Sequence, residues 1–344
     1  MNTTHQQALH HLFNKWCGDK VRQIQPFPKS GSNREYYRLI SPTHTAIGVY
    51  NPDKKENRAF VEMTRFFTGQ RIRVPALLGF EPGKDVYLIQ DLGDTTLFSV
   101  ITGGKDSFRD TPGVRERIRE ALRGLAQIQV VAGREMDFSI CHPYRQFGYQ
   151  SMVYDLNYFR EQFLDRLEID YSQEALVSDF QKMARWIGQA EQDYFMYRDF
   201  QSRNIMLRND RLYFIDYQGG RKGPLQYDLA AFLYQARAGM PDQLRQQMVD
   251  CYLEVARKLT PIDEREFKRF FYPIALLRVL QTLGAYGLRG LKEQKQHFIR
   301  SIPYALNNLK TLYPMVQGID HYRELNRILQ RLMYFKFSYN EPNQ

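Results

Sequence analysis

The run from residue 195 to residue 230 constrains this chain more than any other stretch, because short apolar segments alternate in it with polar side chains at close intervals. Residues 195–197 predict a short buried strand, and residues 211–218 predict a second one after a turn-forming Asn-Asp pair. The two runs are therefore predicted to form a hairpin. Such a hairpin would bring Asp216, near its end, back beside Asn204.

The polar residues of this run suit one kind of chemistry. Asp199 and Asn204 have four residues between them, which is the D-x-x-x-x-N interval of kinase catalytic loops. Phosphoryl transfer needs a carboxylate to orient the acceptor hydroxyl and take its proton, and oxygen ligands to hold Mg²⁺. Taken singly, Asp199 and Asn204 could be turn residues, Asp216 a strand-end acid and Asp228 a charge at a helix N-terminus. Their order and their predicted elements together favour a phosphotransferase site.

The motifs Y-R-D-F-x-x-x-N, I-D-Y-Q and Y-D-L-A resemble those of the aminoglycoside phosphotransferase superfamily, which also includes choline, homoserine and sugar kinases. The resemblance implies that Asp199 is the catalytic base and that Asn204 and Asp216 are magnesium ligands. It also implies that Asp228 is a buried acid that braces the catalytic loop. The family usually has histidine where Tyr197 stands, so the bracing of this loop is expected to differ.

The segment from residue 30 to residue 41 is the candidate phosphate loop, with Ser30, Gly31, Ser32 and Asn33 as nucleotide-binding residues. Glycine allows the backbone to turn with positive φ, and the residues beside it offer N–H groups to phosphate oxygens. One glycine between two predicted strands is by itself more typical of an ordinary hairpin. The position ahead of the catalytic run, and the likeness to the family pattern G-x-S-N-x-x-Y-R, favour the phosphate loop.

Residues 73–84 predict a loop with Pro75 and a short apolar run. Residues 85–93 predict a buried strand that runs into a turn, and this segment resembles a kinase hinge. The backbone groups of Gln90, Asp91 and Leu92 would meet the edge of adenine, because an extended backbone offers both a donor and an acceptor there. The alternative is a plain connector between two lobes.

The third predicted strand, residues 43–51, lacks the lysine that kinases usually place there against the α- and β-phosphates. Gly48, Val49 and Tyr50 occupy the expected positions. Without a lysine on this strand, the acid of the following helix, Glu56 or Glu62, lacks its usual ion-pair partner. We hypothesise that a cation outside the strand compensates, and the candidates are Lys54, Lys55, Arg34 and Arg38.

The absent lysine and the N-P-D turn that follows resemble kinases that phosphorylate the anomeric hydroxyl of N-acetylmuramate and N-acetylglucosamine. An ATP- and Mg²⁺-dependent kinase of a small hydroxylated metabolite, with an amino sugar as first choice, is therefore expected. Two alternatives stay open. The missing lysine also fits a nucleotide-binding pseudokinase or regulatory protein, and the motifs also fit a kinase of aminoglycoside antibiotics.

With 344 residues, of which 43% are hydrophobic, the chain can bury a large core. The expected fold is α+β, of the two-lobed protein-kinase-like type. Residues 1–91 would form a nucleotide-binding lobe around a small antiparallel sheet, and residues 92–344 a mainly helical lobe with the catalytic loop and the acceptor site.

No apolar run approaches the roughly 20 residues of a membrane span, and the N-terminus lacks the regions of a signal peptide, so a cytoplasmic location is expected. Three scattered cysteines imply neither a disulfide framework nor a zinc site.

The formal net charge of +10 favours an anionic partner, and a nucleotide already satisfies that preference. No nucleic-acid signature is present. The segment after Asp228 mixes polar and cationic side chains with apolar ones, namely Arg237, Arg278, Arg289, Gln281 and Tyr286. Such residues could line an acceptor pocket for a neutral or anionic sugar, and they could equally be satisfied core groups. Neither a membrane nor a particular oligomeric state is implied.

Overall fold

The computed structural model describes residues 3–28, 34–105 and 107–337, with side chains from residue 5 onward. Its first part is a five-stranded antiparallel sheet with one helix on each face. The strand order is β1-β2-β3-β5-β4. The elements are α1 (Thr3–Cys17), β1 (Gln23–Pro26), β2 (Glu35–Ile40), β3 (Thr45–Tyr50), α2 (Lys54–Gly69), β4 (Leu77–Glu81) and β5 (Val86–Gln90).

Side-chain alternation along the strands decides which helix packs on which face. Leu39, Ala46 and Leu88 point to α1 and form a small core with its apolar stripe. Val49 and Tyr87 point the other way, toward α2 and the main core. Gly48 lies on the α1 face, where an added Cβ would stand 2.6 Å from a methyl group of Leu39. A lysine at position 48 would therefore point away from the α2 side of the sheet.

The second part of the chain is mainly helical. Its helices are α3 (Leu97–Thr102), α4 (Pro112–Ala126), α5 (Gly133–Glu135), α6 (Tyr149–Phe159), α7 (Gln173–Ile187), α8 (Leu225–Leu233), α9 (Asp242–Ala256), α10 (Glu264–Tyr286), α11 (Gln296–Ile299), α12 (Ile302–Leu312) and α13 (Arg323–Met333). Its strands are β6 (Tyr194–Met196), β7 (Ile205–Arg208), β8 (Arg211–Phe214) and β9 (Arg221–Gly223). The long helix α10 lies at the centre, against α6, α8 and α12.

Two expectations about strands are corrected. The strand before Asp199, β6, does not pair with the run after Asn209; it pairs with β9 instead. The hairpin across the Asn-Asp turn joins β7 to β8, and Asn204 lies just before its first strand. The segment around Pro75, which composition marks as a loop, contains the edge strand β4, whose register on β5 shifts between Leu77 and Gly79.

The α+β class is confirmed, while the division of the chain at residue 91 stays a prediction. All three cysteines are free, as expected. Within the described ranges, none of the helices is at once long enough and apolar enough to cross a lipid bilayer.

Candidate active site

The catalytic loop follows β6, and a buried carboxylate holds its backbone in place. Asp228, in the first turn of α8, has no exposed surface. One of its oxygens accepts a hydrogen bond from the Tyr197 N–H at 2.7 Å, and the other accepts one from the Arg198 N–H at 2.8 Å. The structure thus confirms that Asp228 braces the loop.

The brace continues into the helical core. The amide nitrogen of Gln129 donates to Asp228 at 2.9 Å, and the amide oxygen of Gln129 accepts from the Tyr252 hydroxyl at 2.6 Å. Burial raises the pKa of Asp228 to about 7, against the lowering effect of its three N–H donors. This acid is consequently held by neutral donors in a dry environment.

Arg198 turns the loop. Its φ of 80° is in the left-handed region, which a non-glycine residue adopts only when its surroundings hold it there. The guanidinium forms two hydrogen bonds of 2.8 Å with the buried Asp155, and it lies over the rings of Phe147 and Tyr227. These contacts fix the residue directly before Asp199.

Asp199 itself is open to the cleft, with 46% of its side chain exposed. Arg278 of α10 forms an ion pair with it, with Arg278 Nη2 at 3.6 Å from Asp199 Oδ1. The Asp199 carbonyl accepts from the Asn204 amide at 2.9 Å, which ties the two ends of the loop together. A carboxylate in this position can accept a proton from a molecule bound in the cleft.

Asn204 and Asp216 lie side by side, as the sequence predicts. Asn204 Nδ2 is 3.4 Å from Asp216 Oδ2, and Asp216 has a φ of 69° that turns its side chain after β8. Asp216 Oδ1 accepts from the Gln218 amide at 2.8 Å and from Arg34 Nη1 at 3.1 Å. A carboxylate and a neighbouring amide side chain, both partly open to solvent, can supply oxygen ligands of the kind that Mg²⁺ prefers.

Tyr197 explains how the loop is braced without the family's usual histidine. The ring is fully buried, and its hydroxyl donates to the Ile215 carbonyl at 2.6 Å. Ile215 also donates from its N–H to the Asn204 carbonyl at 3.0 Å. The tyrosine thus links the strand before Asp199 to the backbone directly before Asp216.

Of the four cations proposed to replace the missing lysine, only Arg34 is shown in contact with both Glu56 and Asp216. Arg34 is 8% exposed and forms an ion pair with Glu56 as well as with Asp216. Arg38 instead pairs with Asp91 and Asp94. Lys54, at 71% side-chain exposure, has its ammonium 4.0 Å from Asp85, and Lys55 is exposed.

The predicted nucleotide-binding residues fall into two groups. Ser30, Gly31, Ser32 and Asn33 lie outside the described residues, so the phosphate loop stays a prediction. Gln90, Asp91 and Leu92 follow one another at the end of β5, where Asp91 is held by Arg38 and its carbonyl accepts from Arg208 of β7. The Gln90 N–H donates to the Ala76 carbonyl at 2.9 Å. The hinge role of these three residues also stays a prediction.

Arg278 places a positive charge on the α10 side of Asp199. Arg278 is buried, donates to Gln281 and to the Thr282 hydroxyl, and lies over the Tyr227 ring. Burial raises the pKa of Tyr286, whereas Arg203, Arg278 and Arg237 each lower it, so these arginines are within electrostatic reach of its hydroxyl. Arg289, also proposed for this lining, pairs with Glu293.

Several of these residues were not singled out from the sequence. Arg203 stands inside the D-x-x-x-x-N interval, and its charge there could have marked it as a residue close to the site. Gln129 interrupts the apolar run I-Q-V-V, which is the pattern of a buried polar group with a partner. Nothing in the local sequence marks Asp155 as the partner of Arg198, because 43 positions separate them.

Comparison with known proteins agrees with this geometry. The model of the phosphotransferase enzyme family matches residues 23–263. A Neisseria meningitidis protein named N-acetylmuramate/N-acetylglucosamine kinase is 24% identical over 80% of this chain and 81% of its own length. A Pseudomonas aeruginosa protein of the same name is 22% identical over 86% and 85%.

Among solved structures, the ADP-bound aminoglycoside phosphotransferase APH(2'')-Ib superimposes with a TM-score of 0.59. The superposition covers 92% of this chain and 99% of that one, at 12% identity. At this identity the likeness concerns the fold alone, and it confirms the predicted two-lobed kinase-like architecture.

Proposed function

The chain belongs to the phosphotransferase enzyme family and is a kinase, and we propose that it uses ATP and Mg²⁺ to phosphorylate an N-acetylated amino sugar on its anomeric hydroxyl. The juxtaposition of Asp199, Asn204 and Asp216 in one cleft carries the proposal for the chemistry. The names of the relatives support a sugar as the acceptor class.

In this proposal Asp199 orients the acceptor hydroxyl and takes its proton as the oxygen attacks the γ-phosphorus, while the bond from that phosphorus to the β,γ-bridging oxygen breaks and ADP leaves. Asn204 and Asp216 would hold Mg²⁺, which supplies positive charge against the phosphate oxygens when bound. Gln90, Asp91 and Leu92 would contact adenine, and the segment from Ser30 to Asn33 would contact the phosphates.

The buried arginine beside Asp199 supports a neutral or anionic acceptor. Polycationic aminoglycosides need acidic partners, because several ammonium groups must be paired or left in water. Here the buried guanidinium of Arg278 lies 3.6 Å from Asp199, and the positive charges of Arg203, Arg278 and Arg237 all act on Tyr286 of the same helix. An N-acetylated hexosamine, or one that bears a carboxylate, is compatible with this surface.

The test compares kcat/KM for N-acetylmuramate, N-acetylglucosamine and kanamycin at saturating Mg²⁺-ATP, with ADP release as the readout. We expect turnover of at least one N-acetylated sugar and little on kanamycin. The methyl glycoside of the preferred sugar is the matched control for position, because its anomeric oxygen is blocked and it should not be phosphorylated. A preference for kanamycin would refute the acceptor class, and turnover of the glycoside would refute the anomeric position.

A further inference from the structure

The ion pair that kinases form between a strand lysine and a helix acid has an equivalent here, in which the cation is Arg34, the residue directly before β2. Glu56 lies in the first turn of α2, where Asp53 caps the helix by accepting from the N–H of Lys55 and of Glu56. Both Glu56 oxygens receive donors from Arg34, and Oε2 also accepts from the Asn51 amide at 2.8 Å. Glu56 therefore has a cationic partner, although β3 carries no lysine.

Arg34 lies on the side of the sheet where the lysine would stand. Tyr36 of β2 is directly opposite Val49 of β3, and Arg34 precedes Tyr36 by two residues. Residues two apart on a strand share a face, and directly paired residues on neighbouring strands do so as well. Arg34 directly precedes β2, and its ion pair with Glu56 shows that its side chain lies on the α2 side, to which Val49 also projects.

Arg34 also reaches the metal-binding corner. Its Nη1 donates to Asp216 at 3.1 Å and to the Tyr36 hydroxyl at 3.2 Å. One guanidinium charge stands between two carboxylates, so the group of three retains a net charge of −1 when all are ionised. This leaves a carboxylate charge that a cation at Asp216 can neutralise while Arg34 stays paired with Glu56.

We propose that Arg34 replaces the strand lysine as the side chain that neutralises the nucleotide phosphates, with Glu56 holding it in place. This inference rests on the proposed use of ATP, but it does not depend on the identity of the acceptor. A guanidinium suits the role because its five N–H donors can serve a carboxylate and a phosphate at the same time. Among the described cations proposed for this role, Arg38 is engaged at Asp91 and Lys54 is near Asp85.

The test measures the binding of Mg²⁺-ADP and of adenosine by calorimetry without acceptor, for the parent, Arg34→Met and Arg34→Lys. We expect Arg34→Met to weaken Mg²⁺-ADP binding by at least about tenfold, the effect of one lost charged hydrogen bond. Adenosine affinity should change by less than about twofold, since adenosine has no phosphate. Arg34→Lys should retain most of the affinity for ADP, because it keeps the charge.

Arg58→Met and Lys54→Met are the matched controls, because both remove an exposed cation from α2 and should leave both affinities unchanged. Should Arg34→Met fail to fold, Arg34→Gln removes the same charge with a polar side chain. Parental or tighter ADP binding by the neutral variant would overturn the proposal, and so would an equal loss of ADP and adenosine affinity. A parent that binds ADP but phosphorylates no sugar would refute only the acceptor assignment.

Discussion

The two sides of the catalytic loop use acidic residues in opposite ways. Beneath the loop, Asp228 has no exposed surface, and backbone N–H groups and a glutamine amide occupy its oxygens. On the cleft side, the side chains of Asp199 and Asp216 are 46% and 38% exposed, and their partners are arginine and amide side chains. The same residue type thus serves as scaffold on one side and as reactive group on the other.

The difference is one of solvation. A carboxylate whose oxygens accept from fixed neutral donors cannot bind a metal ion or a substrate without first breaking buried hydrogen bonds. A carboxylate that water can reach has oxygens free to meet a proton, a metal ion or a substrate. Substitutions on the cleft side should therefore change turnover with little change in stability, whereas substitutions beneath the loop should change both.

The largest expected effect is that of Asp199→Asn, which keeps the shape of the side chain and removes its ability to accept a proton. General-base contributions are typically about a hundred- to ten-thousand-fold, so kcat should fall within that range. The melting temperature and the Kd for Mg²⁺-ADP should stay at the parent values. Asp210→Asn is the control, since Asp210 is an exposed acid in the turn of the neighbouring hairpin. A loss below tenfold would remove Asp199 from the role of base.

Asp228→Asn should lower both stability and turnover, with a smaller effect on kcat than Asp199→Asn. An amide turns an –NH₂ group toward backbone N–H donors, so at least one buried hydrogen bond is lost. The expected cost in the free energy of unfolding is about 1–3 kcal/mol at pH 5, measured by denaturant titration. Unchanged stability together with lost activity would mean that Asp228 takes part in the reaction and does not brace the loop.

Stability measurements on the parent and on Asp228→Asn at several pH values test the raised pKa of Asp228. Burial raises that pKa from 3.8 to about 7, so between these values the folded state binds the proton more tightly than the unfolded state. The contribution of Asp228 to stability is therefore greatest below pH 4 and declines as pH rises to 7. The stability of the parent relative to Asp228→Asn should fall over this interval and then level off, which titrations at pH 5, 6 and 7.5 would show.

The spacing of residues along the chain predicted which side chains meet in the cleft better than it predicted the residues that brace the loop from beneath. Four residues separate Asp199 from Asn204, and a short hairpin returns the chain to Asp216, so these positions are close in any compact arrangement of the run. The strand pairing was less predictable. β6 pairs with β9 across more than 20 residues, and no periodicity in either three-residue strand specifies that partner.

Burial explains most of what the sequence could not decide. Arg34 was one of four candidate cations, and its position directly before β2, in an ion pair with Glu56, distinguishes it from Lys54, Lys55 and Arg38. Its bond to Asp216 joins residues 182 positions apart. β4 was missed because prolines and glycines surround it, as is common for an edge strand that pairs on one side only.

The smallest expected effect comes from Tyr197→Phe, which removes a single bracing hydrogen bond between the two sides of the loop. The Tyr197 hydroxyl donates to the Ile215 carbonyl at 2.6 Å, one residue before Asp216, and it has no exposed route to the cleft because the ring is 1% exposed. The net worth of such a bond is about 0.5–1.5 kcal/mol, and about 1.4 kcal/mol corresponds to tenfold in rate. We therefore expect a small drop in melting temperature and a fall in kcat of less than about tenfold, with Tyr213→Phe on β8 as the matched loss of a partly exposed hydroxyl. A fall as large as that of Asp199→Asn would mean that Tyr197 acts in the transfer itself, and the separation between bracing and reacting residues would not hold.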